Sequence, residues 1–215
     1  ILKRYFQGEV CPELDFRMLN QLGAMLARLH QIPSPEYLPK TFPYGLDYFE
    51  TLPSSFSGCA FAKWLINKQD YLINTIDSRL PRGLVHGDVF YDNVLFSTNH
   101  QLMAVIDFEE ACQYYKVFDL GMCIVGTCAN RGEISLSKAK AFIDGYQSIK
   151  SLQESEKAAL QVFAEYGAVA TSFWRFRQHH VLKPDKNKAN RYHEMKALAD
   201  SIHLISGDEF RKICT

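Results

Sequence analysis

The sequence predicts an α+β fold that is mostly helical and contains one small β-hairpin. Over most of the chain, apolar residues recur every three or four positions, which is the spacing of a buried helical face. Between Gly83 and Ile106 this period gives way to two short apolar runs around a polar turn, the pattern of a hairpin. With 215 residues, of which 47% are hydrophobic, the chain is long enough for one sizeable core, or for one large lobe of a bigger protein.

Helices are predicted before the hairpin. The first runs over 16–30, where Asp15 is a suitable N-cap because its carboxylate can accept the free amides of the first turn. The stretch 34–58 is rich in Pro, Ser and aromatic residues and predicts a loop with a short helical turn. A second amphipathic helix begins near Phe61 and ends before Pro81.

The hairpin is predicted from two apolar runs, 93–96 and 102–106, around the polar residues 97–101. From Asp119 onward the chain returns to a helical period. Ser151 and Glu154 have the spacing of a capping box, which would begin a long apolar helix.

The last predicted helix covers roughly 190–205.

The charges balance, with 24 Lys and Arg against 24 Asp and Glu, so neither a nucleic-acid nor a membrane partner is indicated. No apolar run approaches the roughly 18 residues of a membrane span. The six cysteines form no CxxC pair, which predicts reduced thiols in a cytoplasmic protein.

Three polar residues flank the hairpin. Asp88 follows the short apolar run 84–85, Asn93 lies five residues later, and Asp107 ends the returning strand. Because a hairpin places its two outer ends side by side, Asn93 and Asp107 can converge beside Asp88.

These residue types suit phosphoryl transfer. Mg²⁺ accepts one or two protein oxygens and completes its shell with phosphates and water. The transfer also needs a carboxylate that orients the acceptor hydroxyl and takes its proton. The spacing Asp-x4-Asn, with Asp-Phe one hairpin later, matches the catalytic and metal loops of protein kinases. The pattern predicts Asp88 as the catalytic base and Asn93 and Asp107 as ligands of Mg²⁺.

The motif departs from the protein-kinase form. His86-Gly87-Asp88 replaces His-Arg-Asp, and Phe90 stands where protein kinases usually carry Lys. His-Gly-Asp-x4-Asn with Ile106-Asp107-Phe108 resembles the superfamily of aminoglycoside phosphotransferases, choline kinases and type II homoserine kinases. The stretch 167–180 resembles type II homoserine kinases more than aminoglycoside kinases.

Two further segments carry the resemblance. Phe118-Asp119-Leu120-Gly121 resembles the family's Asp-Leu segment, whose Asp anchors the catalytic loop, and 26–33 resembles the helix after the interlobe hinge. The resemblance implies a protein-kinase-like C-terminal lobe with a hinge remnant at 1–8, catalytic and metal loops at 84–121, and a helical substrate-side subdomain at 134–205. It implies ATP and Mg²⁺ as cofactors and a small hydroxylated metabolite as acceptor.

Supporting roles follow from the same resemblance. His86 and Asp119 are expected to hold the catalytic loop. Leu95 and Ile106 are expected to face the core and to form the floor and wall of the nucleotide cleft. Glu109 and Glu110 extend the acidic cluster of the motif, although as solvent-facing charges they need no role.

The acceptor is expected to meet residues 167–180. Arg175 or Arg177 could fork onto an amino-acid carboxylate, which favours homoserine. Trp174 could help to enclose a quaternary ammonium group, as choline requires. A choline or ethanolamine kinase, or an aminoglycoside kinase, is the alternative.

A Gly-rich phosphate cover and a phosphate-binding Lys are not found before His86. The N-terminal lobe is therefore expected to be absent, and ATP turnover by the purified 215-residue chain would contradict this expectation. A non-catalytic kinase-like binding module is the alternative from another class. Retention of Asp88, Asn93 and Asp107 argues against it, and a hydrolase is a weaker third option.

Overall fold

The computed structural model describes residues 5–130 and 132–215. Helices dominate the described part, as the apolar period predicts. They are α1 (Phe16–Leu29), α2 (Ala60–Thr75), α3 (Lys116–Cys128), α4 (Leu136–Gln147), α5 (Glu154–Arg177), α6 (Tyr192–Leu204) and α7 (Gly207–Arg211). None of these helices combines the length and the apolar character needed to cross a membrane.

The strands form small antiparallel sheets. They are β1 (Glu9–Val10), β2 (Arg82–Val85), β3 (Val94–Phe96), β4 (Leu102–Val105), β5 (Cys112–Tyr115), β6 (Ala129–Asn130) and β7 (Glu133–Ile134). The predicted hairpin is confirmed as β3 and β4, and β1 pairs with the free edge of β3. A second sheet joins β2 to β5, and β6 pairs with β7.

Helix starts follow local capping chemistry. Asp15 caps α1 as predicted, because its carboxylate accepts the Met18 amide at 2.8 Å. The capping box predicted at Ser151 and Glu154 is wrong. The N-cap of α5 is Gln153, whose backbone N–H donates to the Glu156 carboxylate at 2.9 Å. The side chain of Leu152 is buried just before this cap, so the chain enters the helix two residues later than the spacing suggested.

Glycines allow the helices to approach closely. A Cβ atom at Gly23 of α1 would collide with the Phe142 carbonyl of α4, and one at Gly145 of α4 would collide with the Asn20 carbonyl of α1. Nearly all of α3 is buried, and Gly121 lets it lie directly against α5. The core therefore fixes α3, whose first turn carries Asp119.

The side chains of the hairpin that are buried differ from those predicted. Val94 and Phe96 are fully buried, whereas Leu95 is only half-buried and Ile106 is 36% exposed. The prediction that Leu95 and Ile106 face the core is wrong, because successive side chains of a strand point to opposite faces. Leu95 lies on the outer face, where it approaches Gly8.

Candidate active site

The catalytic loop predicted after β2 is held by one buried carboxylate. Asp119 is fully buried, and its two oxygens accept the backbone N–H groups of His86 and Gly87, each at 2.8 Å. These two N–H groups immediately precede Asp88. The position of Asp88 is therefore set by a residue that belongs to the helical core.

His30 and Tyr146 extend the hydrogen-bond network of the Asp119 carboxylate. Burial acts to raise the pKa of Asp119, but the hydrogen bond from His30 and the nearby imidazoles and backbone N–H groups outweigh burial and lower the pKa. His30 places Nε2 3.2 Å from Asp119 and Nδ1 2.9 Å from the Tyr146 hydroxyl. The loop is thereby connected to α1 and α4.

His86 joins the loop to the end of the hairpin. Its Nδ1 accepts the Asp88 amide at 3.2 Å, so Nε2 carries the proton and donates to the Ile106 carbonyl at 2.9 Å. The ring is fully buried and packs on Phe108. Because both ring nitrogens are engaged in loop contacts, this geometry suits a structural imidazole.

Gly87 is required by both conformation and space. Its φ of 87° lies in the left-handed region that disfavours other residues. A Cβ atom there would also lie 2.8 Å from the Glu110 carbonyl oxygen. The loop and the segment after Asp107 are therefore in direct contact.

Asp88 is held by Asn93. The Nδ2 group of Asn93 donates to the Asp88 carboxylate at 3.0 Å and to the Asp88 carbonyl at 2.8 Å. Asp88 is half-buried, and this burial, more than any other influence, raises its pKa to about 6. A carboxylate with such a pKa is ionised at neutral pH and more basic than an exposed one.

Asp107 lies across the hairpin from Asn93. The Ile106 amide donates to the Asn93 carbonyl at 3.0 Å, so the two ends of the hairpin converge as the spacing predicted. Asp107 has φ of 66°, a left-handed conformation that Asp tolerates better than most residues. Its carboxylate is exposed and lines the same cleft as Asp88.

Oxygen donors for Mg²⁺ lie at the two ends of the hairpin. Within the described residues, no group of three or more His, Cys, Asp and Glu side chains could hold a metal ion. Mg²⁺ requires fewer protein ligands when phosphates and water complete its shell. The Nδ2 group of Asn93 is occupied by Asp88, which leaves the Asn93 amide oxygen and the Asp107 carboxylate as oxygen donors. These residues fit such a partial shell.

Residues of α5 form the opposite wall of the cleft, which has a volume of about 420 Å³. Trp174 and Arg175 line it, together with Thr171 and Gln178. Arg177 does not line the cleft, because it projects from a different side of the helix. The roles predicted for these side chains stay predictions.

The sequence reasoning missed two residues of the cleft. Tyr44, in the loop between α1 and α2, donates from its hydroxyl to the Glu110 carboxylate at 2.7 Å. The expectation that Glu110 faces solvent is wrong, because it is half-buried and accepts this hydrogen bond in the cleft. Apart from the acidic Glu109-Glu110 pair itself, the sequence carried no signal of this contact.

The family follows from a match that spans most of the chain. A family model described as "Phosphotransferase enzyme family" matches residues 4–170. The chain belongs to the phosphotransferase enzyme family. The predicted resemblance is thereby confirmed, and the match includes the whole Asp88 loop, the hairpin and Asp119.

Curated relatives of this phosphotransferase-family chain include homoserine kinases. The homoserine kinase of Beijerinckia indica subsp. indica is 30% identical over 182 residues, which cover 81% of this chain and 56% of that protein. The homoserine kinase of Rhizobium etli strain CIAT 652 is 36% identical over 172 residues, which cover 77% of this chain and 53% of that protein. The chain spans about half the length of the curated relatives it matches.

Solved structures show the same fold. A choline/ethanolamine kinase family protein from Mesorhizobium loti has a TM-score of 0.67 and 14% identity, covering 98% of this chain and 73% of that chain. An amicoumacin kinase, in complex with AMP-PNP, Ca²⁺ and Ami, has a TM-score of 0.67 and 15% identity, covering 96% and 66%. At these identities the likeness concerns the fold, which is mostly helical and kinase-like.

Proposed function

We propose that the protein containing this chain transfers a phosphoryl group from ATP to the hydroxyl of a small molecule, with homoserine as the acceptor. The observation that carries the proposal is the Asp88 carboxylate, which Asn93 holds in the cleft. Family membership and the homoserine kinases among the relatives favour this chemistry and this acceptor.

Asp88 is proposed as the catalytic base. The acceptor hydroxyl oxygen forms a bond to the γ-phosphorus, the bond from that phosphorus to the leaving ADP oxygen breaks, and Asp88 takes the hydroxyl proton. A base is most effective when its pKa lies near the working pH, and the pKa of Asp88 is raised to about 6.

Asn93 and Asp107 are proposed as the protein ligands of Mg²⁺. When bound, the ion neutralises charge on the phosphate oxygens of ATP. The Asn93 amide would serve two purposes in this arrangement, since its nitrogen positions Asp88 and its oxygen would be available to bind the metal. His86 and Asp119 are proposed to keep this loop in place.

The outer face of the hairpin is proposed to receive the adenine ring. Leu95 lies there beside Gly8, and Ile106 is exposed at the end of β4. The hinge predicted at 1–8 would supply backbone groups to the base, although residues 1–4 lie outside the described residues. The division into catalytic and metal loops at 84–121 and a helical substrate-side subdomain at 134–205 belongs to this proposal, as does the cytoplasmic setting.

Arg175 is proposed to bind the carboxylate of the acceptor. A choline or ethanolamine acceptor is the second candidate, because Trp174 and Tyr44 meet edge to face with centroids 6.0 Å apart and form an aromatic corner in the cleft. Such corners suit quaternary ammonium groups.

Phosphorylation assays on the protein that contains this chain test the proposal. We expect ADP release that requires Mg²⁺, is abolished by EDTA, and is faster with homoserine than with choline, ethanolamine or an aminoglycoside. Binding of MgATP without transfer to any acceptor would contradict the proposal and indicate a kinase-like binding module. Equal ADP release with and without acceptors would indicate a hydrolase.

A further inference from the structure

We propose that Glu110, oriented by Tyr44, binds the ammonium group of the acceptor, while Arg175 binds its carboxylate. This inference rests on the proposed function and deepens it. It assigns the cleft to a zwitterionic amino acid that carries a hydroxyl on its side chain, and it makes Glu110 and Tyr44 determinants of acceptor specificity.

The first argument is the distribution of charge. Arg175 is the cationic side chain among the described residues that line the cleft. The acidic ones are Asp88, Asp92, Asp107, Glu109 and Glu110. Phosphoryl transfer accounts for Asp88 as base and Asp107 as metal ligand. An acidic excess remains that a neutral alcohol or a purely anionic acceptor would not require.

The second argument is the position of Glu110. Its carbonyl oxygen and Cβ would lie 2.8 and 3.3 Å from a Cβ atom at Gly87, so Glu110 is directly beside the loop that carries Asp88. A cation bound by Glu110 would therefore be near the reacting hydroxyl, as in a small acceptor.

The third argument is the hydrogen bond from Tyr44. The hydroxyl occupies one carboxylate oxygen of Glu110 at 2.7 Å and fixes the group in the cleft. Burial first, and then the bond to Glu110, raise the pKa of Tyr44 to about 12, so Tyr44 remains a donor. The second oxygen of Glu110 has no hydrogen-bond donor within the described part of the chain. It can accept an N–H from a primary ammonium group, which a quaternary ammonium group lacks.

Arg175 is prepared for the opposite end of the acceptor. Its Nη1 atom donates to Glu194 at 2.7 Å and to the Arg191 carbonyl at 3.2 Å. These two contacts anchor Nη1 at the start of α6, while Arg175 itself lines the cleft and its other N–H groups remain available for a carboxylate. A negative and a positive side chain thus line one cleft that also contains the proposed base.

Acceptors that each lack one charge test the inference. The kcat/KM of the protein that contains this chain would be measured with homoserine, with aminopropanol, which lacks the carboxylate, and with γ-hydroxybutyrate, which lacks the ammonium group. We expect Glu110→Gln to lower kcat/KM about 10- to 100-fold for homoserine and aminopropanol, mainly through KM, because hydrogen bonds to charged groups have this strength. The kcat/KM with γ-hydroxybutyrate should change by less than about twofold, because this acceptor has no ammonium group that could bind Glu110.

Tyr44→Phe provides a second variant, which keeps the ring and removes only the donor. We expect a smaller increase in KM, about 3- to 10-fold, again only for the two amines. Glu50→Gln is the matched control, because Glu50 is exposed on a helical turn of the same loop region. This variant should leave kcat/KM unchanged for all three acceptors. Melting temperatures would show that each variant is folded.

The outcomes separate the two proposals. Equal losses for all three acceptors, or no loss for the amines, would overturn the role of Glu110 while the phosphotransferase function stands. A preference of the unmodified protein for choline over homoserine would overturn the zwitterion assignment in the same way. Failure to phosphorylate any acceptor in the presence of MgATP would overturn the proposed function itself.

Discussion

The imidazole of His30 places Nε2 3.2 Å from the carboxylate of Asp119, and both side chains are fully buried. This contact joins the C-cap residue of α1 to the first turn of α3. Because Asp119 also accepts the backbone N–H groups before Asp88, the packing of two helices is transmitted to the proposed base through one carboxylate.

We predict that Asp119→Asn loses stability and activity together. An amide has one acceptor oxygen, so its NH₂ group would face a backbone N–H of His86 or Gly87 and leave a buried donor unsatisfied. The free energy of unfolding should fall by about 2–4 kcal/mol, measured by chemical denaturation at pH 7. Asp70→Asn, on the exposed side of α2, should change it by less than about 0.5 kcal/mol.

The same variant gives a pH test with a definite sign. The pKa of Asp119 is lowered in the folded state, so this group stabilises the fold above the ordinary carboxyl pKa, about 3.9, and the contribution disappears as the pH falls through the lower folded pKa. The stability difference between Asp119→Asn and the unmodified protein should be greatest near neutral pH and shrink below about pH 4. A difference that grows on acidification would contradict the lowered pKa.

Asp88→Asn should separate proton transfer from folding. We expect kcat to fall by about 10²–10⁴, the usual contribution of a general base, while ATP affinity changes little. Burial raises the pKa of Asp88 to about 6, so its charge opposes folding above that pH. The melting temperature of the variant at pH 8 should therefore equal or exceed that of the unmodified protein. A variant that melts early while its folded fraction keeps full activity would show that Asp88 is a structural turn residue.

Asp107→Asn should affect the metal. Asn tolerates the left-handed backbone that Asp107 adopts, so the change removes charge without adding strain. Most Mg²⁺-dependent activity should be lost, because an amide binds a divalent cation less well than a carboxylate. Mg²⁺ titrations of the initial rate measure this effect, and Asp107→Glu should keep part of the activity. Unchanged rates and an unchanged Mg²⁺ requirement in Asp107→Asn would exclude Asp107 as a ligand.

Gly145→Ala should destabilise the fold by about 1–3 kcal/mol, the usual cost of overpacking. Its Cβ would collide with the Asn20 carbonyl, where α1 and α4 are in contact. Gly58→Ala is the matched control, since a Cβ there has no neighbour within 4 Å. Thermal and urea unfolding of both variants measure the difference. Equal stability of the two would mean that α1 and α4 can separate without cost.

The parts of the site that the sequence determined are local. Asn93 and Asp107 belong to one hairpin, and Asp88 is five residues before Asn93. Turn and strand geometry therefore brings them together regardless of what packs around them. The N-cap Asp15 is equally local and was also predicted correctly. Ser151-x-x-Glu154 and Gln153-x-x-Glu156 are overlapping spacings, and the folded chain uses the second.

Contacts between residues distant in sequence were decided by tertiary structure alone. Tyr44 and Glu110 are 66 positions apart and His30 and Asp119 are 89 apart, so each contact depends on how loops and helices pack. The strand period shows that Leu95 points to the opposite face from Val94 and Phe96, but it does not show which face packs against the core. It likewise cannot tell which side of α5 meets the cleft, and so could not separate Arg175 from Arg177. Backbone geometry determines contacts between residues close in sequence, whereas the burial of apolar faces determines contacts between distant segments.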